Sequence, residues 1–491
     1  MPPGTGEAGD TLGIARVRRA ALTITKAAGI GLGILCLAAA ADYLALKQHL
    51  DAGPFMFTGA NCAGTRSAST IPQVTDPTAG ATIWPTLEAG AARDASLAAD
   101  PLSASWTFQT NGSVVMAPSV VDGVAYMGSM DGCVYALDVA TGRLLWSFAA
   151  NNQVMSEPVV VGGEVIFGSG NKGMGRLPSG GIVRGTGISG IYALNARTGT
   201  QLWFQQTLGE DMPTPTVSNG VVYEGTGGQM FYAIDAKSGQ VLWSLPLGSY
   251  VSMSSPTVVG NVAIVGGATP YRLIGVDLGT HEIAWTLPLP QAPGGVDDIT
   301  ATAVGGIAYV QVPQGKSAPH IVEIAVQAQT GRVLWQRVLG TDRWNLLQRA
   351  MGQGTLAAQD GEEAAVASVS GGVLYVGAAG LHGVWALNAA TGQPVWSRPA
   401  NVPATVRTSP LVAGGRVYVT TNNHLYVLAA ATGAVQAQRV LGRWSEGTGI
   451  MIPCTTPAPT LVGNTLLVGT GQDTAAITAL PLQTVLGGHG G

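Results

Sequence analysis

From Trp106 to Leu482 apolar and polar residues alternate in short runs, each closed by Gly, Asn or Asp. That period belongs to half-buried strands joined by tight turns. One phrase recurs: an apolar strand, a turn ending in Thr-Gly or a near variant, then Trp. The first copy is Val134-Tyr135-Ala136-Leu137-Asp138, Thr141-Gly142, Trp146, and later copies end at Trp203, Trp243, Trp285, Trp335 and Trp396, about 40 to 60 residues apart. A period of this size marks a repeat architecture.

Each unit opens with a second signature: a Pro or Ala, a strand, a Gly-rich turn and another strand. The first is Pro118-Ser119-Val120-Val121-Asp122-Gly123-Val124-Ala125-Tyr126, and the others begin at Pro158, Pro215, Pro256, Ala301, Ala367, Pro410 and Pro459. Two hairpins per unit make a four-stranded antiparallel blade, and eight starts predict an all-β, eight-bladed β-propeller. The seventh unit has Ala437 where Trp is expected, and the eighth ends at Ile477-Thr478-Ala479-Leu480 without an outer strand. Ser105-Trp106-Thr107-Phe108 matches the missing strand, so the N-terminal strand should close the ring and remove an exposed sheet edge.

The propeller is expected over residues 103–482, followed by a disordered tail at 483–491. Residues 42–102, rich in Ala, Thr, Pro and Gly, read as a linker or wrap. Two insertions interrupt the period. Thr341 to Glu363 reads as a partly helical flap, and Gly-rich Asn171 to Gly187 as a mobile loop. Residues 1–41 are a signal peptide or signal anchor: Arg16, Arg18, Arg19 and Lys26 precede an apolar run, and Ala39-Ala40-Ala41 offers a cleavage site. The Arg18-Arg19 pair has poor twin-arginine flanks, and Leu35 before Cys36 argues against lipidation. The expected compartment is the periplasm, the cell surface or the medium, with membrane attachment only through an uncleaved anchor.

Composition sharpens this. Charged residues make up 11% and the net charge is −4, so no basic field exists for nucleic acid. A surface with few carboxylates keeps its charge balance in acid, although Gly-rich turns also dilute charge. Without the signal, Cys62, Cys133 and Cys454 remain, which predicts one disulfide and one buried thiol with the pairing open. The chain has no CxxC or CxxCH, and His281, His320, His382 and His424 do not repeat at ligand spacing; no metal site is predicted.

The phrase Val134-Tyr135-Ala136-Leu137-Asp138-Val139-Ala140-Thr141-Gly142-Arg143-Leu144-Leu145-Trp146 resembles the repeat of pyrroloquinoline-quinone-type propellers and their cofactor-free relatives. Residues Pro54 to Phe57 and Thr65 to Ser67 resemble a segment that opens such chains. The resemblance implies one of three functions. Quinoprotein dehydrogenases hold pyrroloquinoline quinone with calcium; scaffolds similar to the outer-membrane barrel-assembly lipoprotein bind protein partners on loops; and exported enzymes similar to tetrathionate hydrolase cleave a polythionate. The repeat Trp and Gly are structural in all three.

The site must therefore separate them. Three positions before the Pro/Ala column the residues are Val115, Met155, Met212, Met253, Asp298, Ala364, Arg407 and Thr456. One position earlier come Val114, Val154, Asp211, Ser252, Asp297, Glu363, Val406 and Thr455. Asp298 among apolar neighbours is a candidate acid/base, and Arg407 a planar clamp for an oxyanion. Met155, Met212 and Met253 offer polarizable walls, with Asp211 and Glu363 as further substrate contacts. An ion pair at a water-filled channel mouth, with Met as filler, explains the same residues. The leading expectation is a hydrolase of small anionic sulfur compounds resembling tetrathionate hydrolase, with no cofactor. The alternatives are a non-catalytic scaffold and a quinone dehydrogenase, for which Glu157, Asn423 and Asp298 would be the calcium set.

Overall fold

The computed structural model describes residues 59–63, 96–97, 105–171, 173–176, 182–185, 187–289, 300–314, 320–341, 365–378, 381–402, 406, 408–421, 424–441, 458–470 and 475–487. These form eight blades and one separate two-stranded ribbon. In blade one the order from the axis outward is Ser119–Val121, Val124–Ser129, Cys133–Asp138 and Leu144–Ala149, all antiparallel. The first turn places Asp122 at φ 48° and Gly123 at φ 72°, the backbone of a type I′ hairpin whose twist matches its strands.

The repeated Trp stitches most blades to the next. Trp146 Nε1 donates to the Ala196 carbonyl at 2.9 Å, and Trp203, Trp285, Trp335 and Trp396 do likewise to Ala236, Ala328, Ala389 and Ala430. Its ring lies on the Thr-Gly turn of the following blade. A Cβ at Gly142, at φ 68°, would lie 2.5 Å from the Trp106 ring, so both backbone conformation and space require glycine. The fourth blade departs from this: His281 stands at φ 60° in the turn, and its imidazole stacks on Trp243 with centroids 4.5 Å apart.

Closure follows the expected route. Trp106–Gln109 pairs antiparallel with Ala476–Pro481 as the outer strand of blade eight, and Trp106 Nε1 reaches the Val139 carbonyl at 2.8 Å. A second N-terminal piece, Ser96–Leu97, adds a parallel fifth strand beside Thr460–Val462 on the inner side of that sheet. Around the axis, the first residue of an inner strand donates its hydroxyl to the carbonyl just before the next inner strand. Thr216 bonds Pro256 at 2.5 Å, Thr257 bonds Ala301 at 2.6 Å and Thr302 bonds Ala367 at 2.5 Å; Ser119 bonds Pro158 and Ser368 bonds Pro410. Thr460 closes this belt on Pro118. Val159 and Leu411 occupy the two remaining places and have no hydroxyl to give.

Several expectations need correction. The Asn171–Gly187 insertion contains an antiparallel ribbon, Met174–Arg176 against Ile182–Arg184, rather than a plain loop. It is held by two backbone bonds of Arg184, which donates from N to Gly227 O at 3.0 Å and accepts at O from Glu210 N at 2.8 Å. The tail expected at 483–491 begins inside a short helix, Leu482–Leu486, because Val485 buries against blades seven and eight. Blade six has an outer strand of only Ala400–Asn401, since Pro394 and Pro399 flank the preceding segment and cannot donate to a ladder. The open cysteine pairing resolves as Cys62–Cys133. Cys454, residues 1–41 and 342–363 lie outside the described residues. Among the described residues no helix is long and apolar enough to cross a membrane.

Candidate functional site

The connectors that run inward from one blade's outer strand to the next blade's inner strand hold the residues singled out in the sequence. One set gathers at a single place: Val115, Met155 and Met212 are buried together, and Met116, Met130 and Met253 pack against them. The structure thus brings together Met155, Met212 and Met253, three of the residues singled out in the sequence. Asp298, Arg407 and Glu363 lie outside the described residues.

The other set plugs the gaps between blades. Val154 sits where a Cβ on Gly128 would be, and Val406 where one on Gly377 would be. At the corresponding place against Gly168 stands Asp211. This carboxylate is fully buried, in a place that Val154 and Val406 take in two sister blades. Thr207 donates its hydroxyl to Asp211 Oδ2. Desolvation drives the Asp211 carboxyl well above its usual range, Thr207 opposes this, and neighbouring Glu210 adds to it.

Glu224 is a buried acid that the sequence did not point to. It lies on the second strand of blade three, in a column otherwise filled by Met127, Phe167, Val265, Val310, Val376, Val419 and Val468. Among the described residues neither of its oxygens has a hydrogen-bond partner. Burial, and then the charge of Asp211, push the Glu224 carboxyl well up. Beside Asp211, Arg184 of the ribbon pairs with buried Glu210, Nε to Oε1 at 2.9 Å, with the guanidinium 5.9 Å from the Tyr250 ring centroid.

Blade five holds a further buried acid. Glu323 lies directly opposite Gln311, in columns that sister blades give to apolar residues and mostly to glycine. The Gln311 amide spans to blade six, donating to Gly377 O at 2.8 Å and accepting from Ala365 N at 3.1 Å. Burial pushes the Glu323 carboxyl up to about 8, against a smaller lowering by Gln311. Aligning the second and third strands, and not only the inner ring, would have exposed both acids as single departures from apolar columns.

No cluster of three or more His, Cys, Asp or Glu suited to a metal ion exists among the described residues. Glu157, one member of the calcium set considered from sequence, is wholly buried, its backbone N–H bonded to Thr214 Oγ1 at 2.9 Å. Its carboxylate faces the Ser119 hydroxyl at 3.5 Å; Asn423 and Asp298 lie outside the described residues.

Residues 67–183, 187–349 and 340–484 match the family model described as outer membrane protein assembly factor BamB. The tetrathionate hydrolase of Acidithiobacillus ferrooxidans is 29% identical over 391 residues, 75% of this chain and 73% of that protein. The crystal structure of BamB from Moraxella catarrhalis superposes with a TM-score of 0.54 at 16% identity, covering 76% of this chain and 98% of that one. Quinohemoprotein alcohol dehydrogenase from Comamonas testosteroni gives 0.53 at 17% identity, covering 86% and 83%. At these identities the solved structures share the fold alone.

Proposed function

The chain belongs to the PQQ-like β-propeller repeat family, and from that premise we propose that it is an exported hydrolase of sulfur oxyanions. The observation that carries this reading is the similarity to tetrathionate hydrolase, which runs through three quarters of both chains. The gathered thioethers of Met155, Met212 and Met253 support it, since a polarizable wall suits a chain of sulfur atoms. The Cys62–Cys133 disulfide supports export to an oxidising compartment. In this reading Asp298 takes the proton of a water that attacks one central sulfur of tetrathionate, and the central S–S bond breaks with its electron pair leaving on thiosulfate. The attacked half departs as the sulfenic acid HO–S–SO3−, and Arg407 holds the sulfonate oxygens.

Thiosulfate release from tetrathionate at low pH tests the proposal. Asp298→Asn should lower turnover by about 10²- to 10⁴-fold, the usual range for a general acid or base. Full turnover in that variant would remove Asp298 from the site, and no thiosulfate from the unaltered protein would remove the hydrolase. The family model's description favours a second reading, a non-catalytic scaffold with partners on the loop face. Capture of outer-membrane assembly components by a protein without turnover would select it. Quinone absorbance after reconstitution with calcium would select a dehydrogenase instead.

A further inference from the structure

We propose that the thioether cluster of blades one to four binds a soft monovalent cation, Cu(I) or Ag(I). Five of the six side chains in this cluster are methionine, drawn from blade one (Met116, Met130), blade two (Met155), blade three (Met212) and blade four (Met253). The whole chain has 12 methionines, so nearly half converge on one spot. Methionine is not this protein's general filler: the largest apolar cluster buries one, Met127, among many Val, Leu and Ala. Leucine would fill the same space with better-defined rotamers, and what thioethers add is a soft donor atom.

Thioether sulfur is a neutral, soft ligand that selects Cu(I) over hard cations. Met155 and Met212 lie at the buried end, 2% and 0% exposed, while Met116, Met130 and Met253 are half-buried and leave an approach. Sulfur in this form has no proton to lose. A site of imidazole, thiolate or carboxylate ligands releases metal as pH falls, whereas a thioether site keeps it. That difference fits a protein whose buried acids favour the folded state in acid. The inference shares methionines with the proposed substrate wall but does not depend on turnover, because binding is measured without substrate.

The test is calorimetric titration of the full chain with Ag(I) in a chloride-free medium, its free thiols alkylated, with native mass spectrometry giving the stoichiometry. The expected result is one bound ion, with affinity equal within about threefold at about pH 3.5 and about pH 7. Met155→Leu with Met212→Leu should weaken binding by at least about tenfold. Met253→Leu, at the half-buried margin, carries the same comparison should the double variant fail to fold. Absence of saturable uptake, uptake that collapses at the lower pH, or equal uptake by the folded leucine variants would overturn the proposal.

Discussion

The Thr460 hydroxyl donates to the Pro118 carbonyl at 2.9 Å, joining the last blade to the first across 342 residues. It is one link of a belt in which each hydroxyl satisfies a carbonyl buried near the axis. Thr460→Val keeps the shape and strands that carbonyl. Stability should fall by about 1–3 kcal/mol, read from the midpoint of urea unfolding at unchanged slope.

The buried acids set the direction of pH dependence. Asp211, Glu224 and Glu323 have folded-state values above the unfolded ones, so their contribution is fully present below the unfolded value and lost as pH rises through the folded one. For Glu323 the window runs from its ordinary 4.5 to about 8. The protein should therefore be more stable at about pH 4 than at about pH 8, by a few kcal/mol. Glu323→Gln should flatten that part of the profile, as measured by thermal unfolding across the window. A profile that rises toward neutrality would contradict the assignment.

The disulfide anchors residues 59–63 to blade one, where Ala63 N meets Tyr135 Oη at 2.8 Å and Asn61 N meets Asp131 O at 2.9 Å. Tyr135 in turn donates to Asp131 Oδ2 at 2.8 Å. Cys62→Ser with Cys133→Ser should cost about 2–4 kcal/mol and expose the segment N-terminal to Ser96 to limited proteolysis. Cleavage kinetics equal to those of the oxidised protein would show that the hydrogen bonds suffice.

His281 stands where the other turns carry glycine, and its backbone strain is offset by the stack on Trp243. His281→Ala keeps the strain and loses the stack, and should cost about 1–2 kcal/mol. His281→Gly relieves the strain and should cost less. The rank order of their melting temperatures checks this, and alanine above glycine would refute it.

The architecture was legible because its determinants repeat: Trp146 and its sisters count blades, and Trp106 identifies the closing strand. The candidate site was partly legible. Met155, Met212 and Met253 emerged from one aligned column because connector residues near the axis vary independently of the strands. Glu224 and Glu323 stayed hidden because each is a single departure inside a strand whose overall alternation remains intact. The ribbon beginning at Met174 was obscured by flanking glycines, and the helix ending at Leu486 owes its existence to Val485 packing on a neighbouring blade, which local propensity does not encode.

Val159 and Leu411 divide the belt into unequal arcs, blades three to seven and blades eight, one and two. Under stress a hoop parts where its stitching is missing, so these two seams are the fracture lines of this one. At the first seam the Glu157 N–H still bonds Thr214 Oγ1, as Thr214 N bonds Ser255 and Ser255 N bonds Thr300 farther round the ring, and the Arg184–Glu210 pair lies beside it. At the second, the helix of blade eight leans on blade seven, with Arg439 donating to the Thr484 carbonyl at 3.2 Å. Met155 and Met212 stand on opposite banks of the first seam. Whatever occupies the thioethers rivets the two arcs together, and whatever loosens that seam uncovers them.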